Sequence, residues 1–395
     1  MSKVNQNIPD AVRAVAANGT QLRYALMEMA AQQKDTIALG RGDPDLDTPV
    51  HIIAAAQDAI RRQQTALTAV EGMPELRSAI AEKLRRENGL SVGAENIIVT
   101  TGGQEGLFLI MQALLNPGDE VLVPDPRYTS YDEAIETAGG KIVMIPTDHE
   151  DAFNLPVESV EQAITPKTKA LLIVTPSNPT GGIITEERAR AIAEIAIKHN
   201  LIVISDEIYE KFLYDGWKHF SIGSVPGMED RTITLNGFSK TYAMTGFRVG
   251  YVAAPVDFIQ AMTKVKAFTT GPAATVSQQA GLAALAGPQE PIQEFLRIYT
   301  ERRQVMMNGL CDMGLDFSDP RGGFFLWTIS SSTGINATEL SYLMLKEGRV
   351  LIFPGTGFGD NWDGYLRITL LQSLDELYEA LRRMRPVIER YRTKI

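Results

Sequence analysis

The sequence predicts an α/β protein, with one large domain built on a mostly parallel seven-stranded sheet and a smaller α+β domain. Three observations predict it. Short apolar runs alternate with amphipathic helical segments through the middle of the chain. The runs are continuously rich in Val, Ile and Leu, as strands covered on both faces require. From about residue 285 this rhythm gives way to longer helices separated by single strands.

Residues 51–63 (HIIAAAQDAIRRQ) and 74–87 (PELRSAIAEKLRRE) carry apolar positions at helical spacing, and Pro74 suits a first helical turn. NIIVT at 96–100 predicts a strand. Two glycines and a helix, EGLFLIMQALL, follow it and stop at NPGD, 116–119. EVLVP at 120–124, KIVMIP at 141–146, KALLIVT at 169–175, LIVISD at 201–206, TITLNG at 232–237 and RVGYVAAP at 248–255 complete the strands. YDEAIETAG and TEERARAIAEIAIKHN (185–200) are helices between them. The C-terminal part predicts helices at 290–313, 336–347 and 373–392, with strands in GGFFLWTIS (322–330) and at 364–370. The expected division is a large domain at 51–285 and a small one at 286–395, which the first 50 residues join.

The balance of 38 basic and 48 acidic residues, net -10, argues against a nucleic-acid surface and against anchoring to anionic lipid. No apolar run is long enough to span a membrane, and MSKVNQNIPDAVRAV lacks the apolar core of a signal peptide. The single cysteine, Cys311, excludes an intrachain disulfide and a cysteine zinc site. It reads as a buried structural thiol of a cytoplasmic protein.

Four features fall at strand ends, where open α/β sheets place ligands. TTGGQEG (100–106) opens a helix with two glycines, which suits either an anion or an ordinary turn. TPSNPTGG (175–182) holds Asn178 extended before Pro179, again as a turn or as an amide facing a cleft. SDEIY (205–209) puts Asp206 at a strand end, to cap a helix or to meet a cation, with Tyr209 three residues on. NGFSKTYAMTGFRVGY (236–251) gathers Ser239, Lys240 and Arg248. A lysine confined beside another cation is a nucleophile, and an arginine fork suits phosphate; the plain alternative is two surface cations. In this order the four supply what pyridoxal 5′-phosphate (PLP) chemistry needs: an amine, an acid for a pyridinium nitrogen, and phosphate donors.

SNPTGG, DEIY and SKTYAMTGFRVG together resemble the fold-type I PLP enzymes, specifically the class I/II aminotransferases related to aspartate and aromatic aminotransferases. The resemblance runs from LGRGDPDLDTP (39–49) to YLRITL (365–370). It implies a transaminase working by a ping-pong mechanism on an amino acid and a keto acid. Lys240 would carry the cofactor as a Schiff base and move the proton between Cα and the cofactor. Asp206 would pair with the ring nitrogen. Tyr209 and Asn178 would bond the phenolic oxygen, and Tyr128, in PDPRYTSY, would stack on the ring. Gly103, Gln104, Ser239 and Arg248 match phosphate-binding positions. Arg367, in YLRIT, matches the substrate carboxylate anchor, and Gly42 the loop that closes over it. A homodimer is implied as well, with Thr269 and Thr270 approaching the partner's phosphate.

Three positions depart from the family pattern. Leu67 stands where many relatives have a tyrosine that reaches across the dimer. Gly237 replaces a frequent serine. Arg41 precedes Gly42, either to contact a polar or acidic substrate or to face solvent beside Asp43 or Asp45. The departures keep open an eliminating or cyclising PLP enzyme as an alternative; a PLP-binding regulatory module has no room for a DNA-binding domain.

Overall fold

A computed structural model describes residues 20–391. The segment read as lacking a signal peptide lies outside them. In chain order the elements are α1 (Thr20–Ala31), β1 (Ile37–Ala38), α2 (Val50–Arg61), α3 (Pro74–Asn88), β2 (Ile97–Thr100), α4 (Gly103–Leu114), β3 (Glu120–Asp125), α5 (Ser130–Thr137), β4 (Lys141–Pro146), α6 (Val157–Gln162), β5 (Thr168–Val174), α7 (Glu186–Lys198), β6 (Ile202–Asp206), β7 (Thr232–Gly237) and β8 (Gly250–Ala253). Then come α8 (Val256–Thr269), α9 (Thr275–Ala286), α10 (Glu290–Asp312), β9 (Asp316–Phe317), β10 (Phe325–Ile329), α11 (Ala337–Gly348), β11 (Val350–Leu351), β12 (Phe353–Pro354), β13 (Tyr365–Thr369) and α12 (Leu374–Tyr391).

Seven strands form the large sheet in the order β2-β8-β7-β6-β5-β3-β4. All are mutually parallel except β8, which runs against β2 and β7. Alternate residues supply the two faces, as pleating dictates. Ala170, Leu172 and Val174 of β5 pack with α4 residues such as Ile110, while Leu171 and Ile173 pack with Ile192 and Ala196 of α7. Both sets are buried, which explains the unbroken apolar run in β5.

A four-stranded sheet, β12-β13-β10-β9, and a two-stranded parallel pair, β1-β11, lie outside the large sheet. Here β1 is paired with a strand 313 residues on, Ile37 opposite Val350. The core of this region joins Met306 and Leu310 of α10, Leu340 of α11, Ile368 of β13 and Met384 of α12.

The helices α8 and α9 have no counterpart in the elements expected from sequence. α9 (TVSQQAGLAALA) is small and apolar on most sides, so it lacks a two-sided helical pattern; it is wedged against α2 and α3. Cys311 corrects the sequence reading: it is exposed. Tyr299, Arg302, Arg303, Met306 and Leu310 form the buried stripe of α10, and position 311 lies off that stripe.

Candidate active site

The parallel strands β2, β5, β6 and β7 all end at one edge of the sheet. Because β8 is antiparallel, its start reaches the same edge, with Gly250 opposite both Thr100 and Gly237. The strand-end segments with Gly103, Asn178, Asp206, Lys240 and Arg248 are thereby gathered around one cavity of about 440 Å³. Arg367, in mid-β13, and the Gly40–Gly42 segment after β1 supply the opposite wall. All twelve site residues expected from sequence line this cavity.

Lys240 is largely buried, and its Nζ donates to the carbonyl of Gly42 at 2.8 Å, with Asp43 Oδ1 3.6 Å away. Burial holds the amine below its ordinary range. Asp43 opposes the shift, and the Arg367 and Arg248 guanidiniums add to it.

Asp206 ends β6 with its carboxylate buried. Oδ2 accepts from the Tyr131 hydroxyl at 2.7 Å and Oδ1 from the Ile208 N–H at 3.2 Å. Burial pushes its carboxyl up to about 6 against those two hydrogen bonds. An anion there is incompletely compensated, and a cation on the cavity side would complete it. The adjacent Glu207 is fully buried and secures the turn. It accepts from Ser205 Oγ, Asn88 Nδ2 and Ser221 Oγ at 2.7–2.9 Å, and His219 Nε2 lies 2.8 Å away. Tyr209 is buried edge-on against Phe324 and Phe325, with ring centroids 5.6 and 5.5 Å away, and burial raises its phenol.

At the other end of the cavity, Gly102 has φ +79°, and a Cβ there would lie 2.6 Å from Arg248 Nη2. A Cβ on Gly250 would meet the Gly102 carbonyl carbon at 2.9 Å. Only glycines let the guanidinium, the loop and the start of α4 converge. Ser239 and Gln104 join them, and Gln104 Nε2 donates to Tyr128 Oη at 2.8 Å. Among the described residues no carboxylate lies within ion-pair distance of Arg248. A helix start with a guanidinium that no carboxylate neutralises, and a hydroxyl beside it, has the chemistry to hold a phosphate. A phosphate at this end, a pyridine nitrogen at Asp206 and a carbonyl carbon at Lys240 are what PLP presents, so the residues fit it. Gly237 belongs to the same packing: a Cβ there would lie 3.2 Å from Gly250 Cα.

Arg367 is 4% exposed; Nη1 donates to Asn178 Oδ1 at 2.8 Å and Nη2 to the Gly40 carbonyl. Its guanidinium carbon stands 4.8, 5.5 and 4.5 Å from the ring centroids of Phe325, Phe353 and Phe358. Arg41 lies at the rim, with its side chain 65% exposed and 3.6 Å from Asp43, while Asp45 makes a two-pronged pair with Arg302 at 2.8 Å. Among the cavity residues that sequence did not single out are Tyr131 and Arg23. Tyr131 sits in the same PRYTSY motif as Tyr128, one helical turn on, and that spacing is the signal that finds it.

A sequence profile for "Aminotransferase class I and II" matches residues 34–384. The chain belongs to this family. It is 41% identical over 374 residues to the aspartate aminotransferase of Pyrococcus abyssi, covering 94% of this chain and 96% of that one. It is 39% identical over 380 residues to aromatic-amino-acid aminotransferase 2 of Thermococcus litoralis, covering 95% and 97%. The solved structure of the aspartate aminotransferase from Thermus thermophilus with maleate superposes with a TM-score of 0.91 at 39% identity, over 97% of this chain and 100% of that one. The protein is therefore a PLP-dependent aminotransferase acting on amino-acid and keto-acid substrates. These relatives are named for transamination, and nothing in them supports the eliminating or cyclising alternative. Among the described residues no helix is long and apolar enough to cross a membrane.

In this aminotransferase, Tyr131→Phe removes the one side-chain donor to Asp206 Oδ2. Hydrogen bonds to a charged group contribute about 1.5–3 kcal/mol, so kcat/KM is expected to fall roughly 10- to 100-fold. Cofactor affinity should fall with it, measured by equilibrium dialysis. Unchanged values for both would remove Tyr131 from the site.

Proposed function

We propose that Lys240 is the base and covalent anchor, assisted by Asp206 and Tyr209. Gly103, Gln104, Tyr128, Asn178, Ser239 and Arg248, with Asp206 and Tyr209, hold the cofactor. Arg367, Asn178 and Gly42 hold the substrate, with Arg41 at its rim. The observation that carries this reading is the Lys240 amine, buried beside two guanidiniums and held at a carbonyl in the cavity that also contains Asp206 and Arg367. The α-carboxylate of an amino acid seats on the two terminal nitrogens of Arg367 in a bidentate pair. Asn178 and the Gly40 carbonyl already fix that guanidinium in place. The amino acid's Cα is then turned toward Lys240, whose neutral amine accepts the Cα proton. PLP, when bound, supplies the electron sink for the pair left behind. Asp206 keeps a proton on the ring nitrogen, which sustains that sink. The three phenylalanines around Arg367 exclude water and strengthen the carboxylate contact.

The reading extends to a homodimer in the cytoplasm. Gln104 and Arg248, at the phosphate end, are exposed, and Leu67 and Phe268 are 86% and 93% exposed, as apolar groups covered by a second copy would be. Thr270, two residues past Phe268, bonds Glu105 next to Gln104. Cys311 has no partner for a disulfide. Residues 20–50 belong with 286–391 as a small domain around the large one at 51–285; the β1–β11 pair and the Asp45–Arg302 pair support this.

An amino-acid panel tests the chemistry. A substrate should bleach the bound cofactor's visible absorbance, a keto acid should restore it, and no ammonia should appear. Ammonia release without that reversal would overturn the reading, and an active monomer on size exclusion would overturn the dimer.

A further inference from the structure

A buried ion pair, Lys266 with Glu105, stands behind the phosphate end of the cavity, and neither residue lines it. In α8 the buried stripe is Ile259, Met262 and Lys266, so a lysine takes the third place in an apolar row. Ile259 and Met262 pack into the core that holds Leu107 and Ile110 of α4. Lys266 is fully buried and Glu105 nearly so. Lys266 Nζ donates to Glu105 Oε2 at 2.6 Å, in the first turn of α4. The same Oε2 accepts from the Thr101 backbone N–H, and Oε1 accepts from the Thr270 hydroxyl. Among the described residues Glu105 is the one carboxylate within ion-pair distance of Lys266. Burial lowers the Lys266 amine, and Glu105 opposes that shift.

Helix docking does not explain the pair. Two apolar side chains would join α8 to α4 without desolvating charges, often with equal or greater stability. A helix start also repels a cation, so Lys266 is misplaced unless an anion stands beside it. Glu105 is that anion, and it holds the loop that precedes the helix. Thr101 comes directly before Gly102 and Gly103, and Gly102, the N-cap of α4, has no side chain to fix the turn. Glu105 reaches back from the first turn and fixes it through the Thr101 N–H. A bare carboxylate at this point would contest the helix start with a phosphate, and the Lys266 charge offsets it.

We propose that Glu105 is a positioning residue that sets the 101–103 loop for the cofactor phosphate, and that Lys266 cancels its charge so that the helix start still attracts a dianion. This rests on Gly103 and Arg248 as the phosphate site. A purely structural pair would tie α8 to α4 and act on stability alone.

The test uses the full-length apoenzyme and two ligands that share a ring and differ only in the phosphate, pyridoxamine 5′-phosphate and pyridoxamine. Dissociation constants are measured by calorimetry for wild type, Glu105→Ala, Glu105→Gln, Lys266→Met, the double variant Glu105→Gln/Lys266→Met, and Arg248→Gln. Glu105→Ala is expected to weaken the phosphate ester roughly 10- to 100-fold and pyridoxamine less than about threefold, as loss of a hydrogen bond to a charged group requires. The glutamine amide oxygen still accepts from Thr101, so Glu105→Gln should stay within about threefold of wild type for both ligands. Lys266→Met leaves the carboxylate unpaired and should weaken the phosphate ester roughly 10- to 100-fold, and adding Glu105→Gln should restore it. If Lys266→Met does not fold, as melting curves would show, the two Glu105 variants and the double variant decide. Equal losses for both ligands, no loss of the phosphate ester in Glu105→Ala, or a double variant that binds it as poorly as Glu105→Ala would each overturn the proposal. Arg248→Gln should weaken the phosphate ester alone. If it does not, the phosphate reading itself fails, which separates the two outcomes.

Discussion

Lys240→Ala is expected to lower turnover by at least about four orders of magnitude while leaving the fold intact. Two functions vanish together: the covalent anchor and the base at the substrate Cα. General-base catalysis alone contributes roughly 10²- to 10⁴-fold, and nucleophilic catalysis adds to it. The stability effect should be small or favourable. Lys240 Nζ makes one hydrogen bond, to the Gly42 carbonyl, and sits among groups that depress its charge. After borohydride reduction and proteolysis, the wild-type peptide containing Lys240 should carry the cofactor's mass. No peptide of the variant should. A variant that kept more than about one-hundredth of the activity would place the base elsewhere.

Asp206→Asn should act in opposite directions on the apoenzyme and on catalysis. The carboxyl rises from its ordinary 3.8 to about 6 because it is buried. A raised carboxyl makes the native state bind more protons than the unfolded chain between those values. The stability this group contributes is therefore full below about 3.8 and is lost as pH rises through about 6. At about 1.4 kcal/mol per pH unit the loss is on the order of 3 kcal/mol. Asparagine carries no charge to bury, and by rotating the Tyr131 hydroxyl it can keep both hydrogen bonds that Asp206 makes. The apo variant should melt above the wild type near about pH 8 and level with it near about pH 4. Catalysis should fall roughly 10²- to 10⁴-fold, since the cofactor's ring cation loses its buried partner, a change of about 3–5 kcal/mol. Melting curves without cofactor and steady-state kinetics read the two effects separately. A variant less stable than wild type at high pH would mean that Asp206 is a structural anchor.

Much of this was legible before any coordinates. KIVMIP and TITLNG are strands over the same residues that their apolar β-branched runs predict. Lys240 and Asp206 stood out because each is a charge in a segment otherwise suited to burial, and a buried charge needs a reason; Arg367 stood out only through the resemblance of YLRIT to the family's carboxylate anchor. Tyr131 and Arg23 did not stand out. Tyr131 meets Asp206 across 75 positions and Arg23 meets Thr129 across 106; the spacing from Tyr128 places Tyr131 near the site, but no local pattern encodes either pairing. Cys311 went astray for a related reason, because the burial of a helix face depends on what packs against it.

The sequence by itself determined the strands of the large sheet and most of the longer helices, though not α8 and α9, and which side chains stand at strand ends. Periodicities of 2 and 3.6 residues and the backbone limits of glycine and proline act within a few residues of one another. Only the tertiary structure decided which segments became neighbours. Insertion of β8 between β2 and β7, antiparallel, carries Arg248 to the edge where Gly103 and Lys240 lie. Docking of β13 and β1 from outside that sheet brings Arg367 and Gly42 against them. Those choices follow from burying apolar faces across the whole chain, a sum that no single stretch of residues contains.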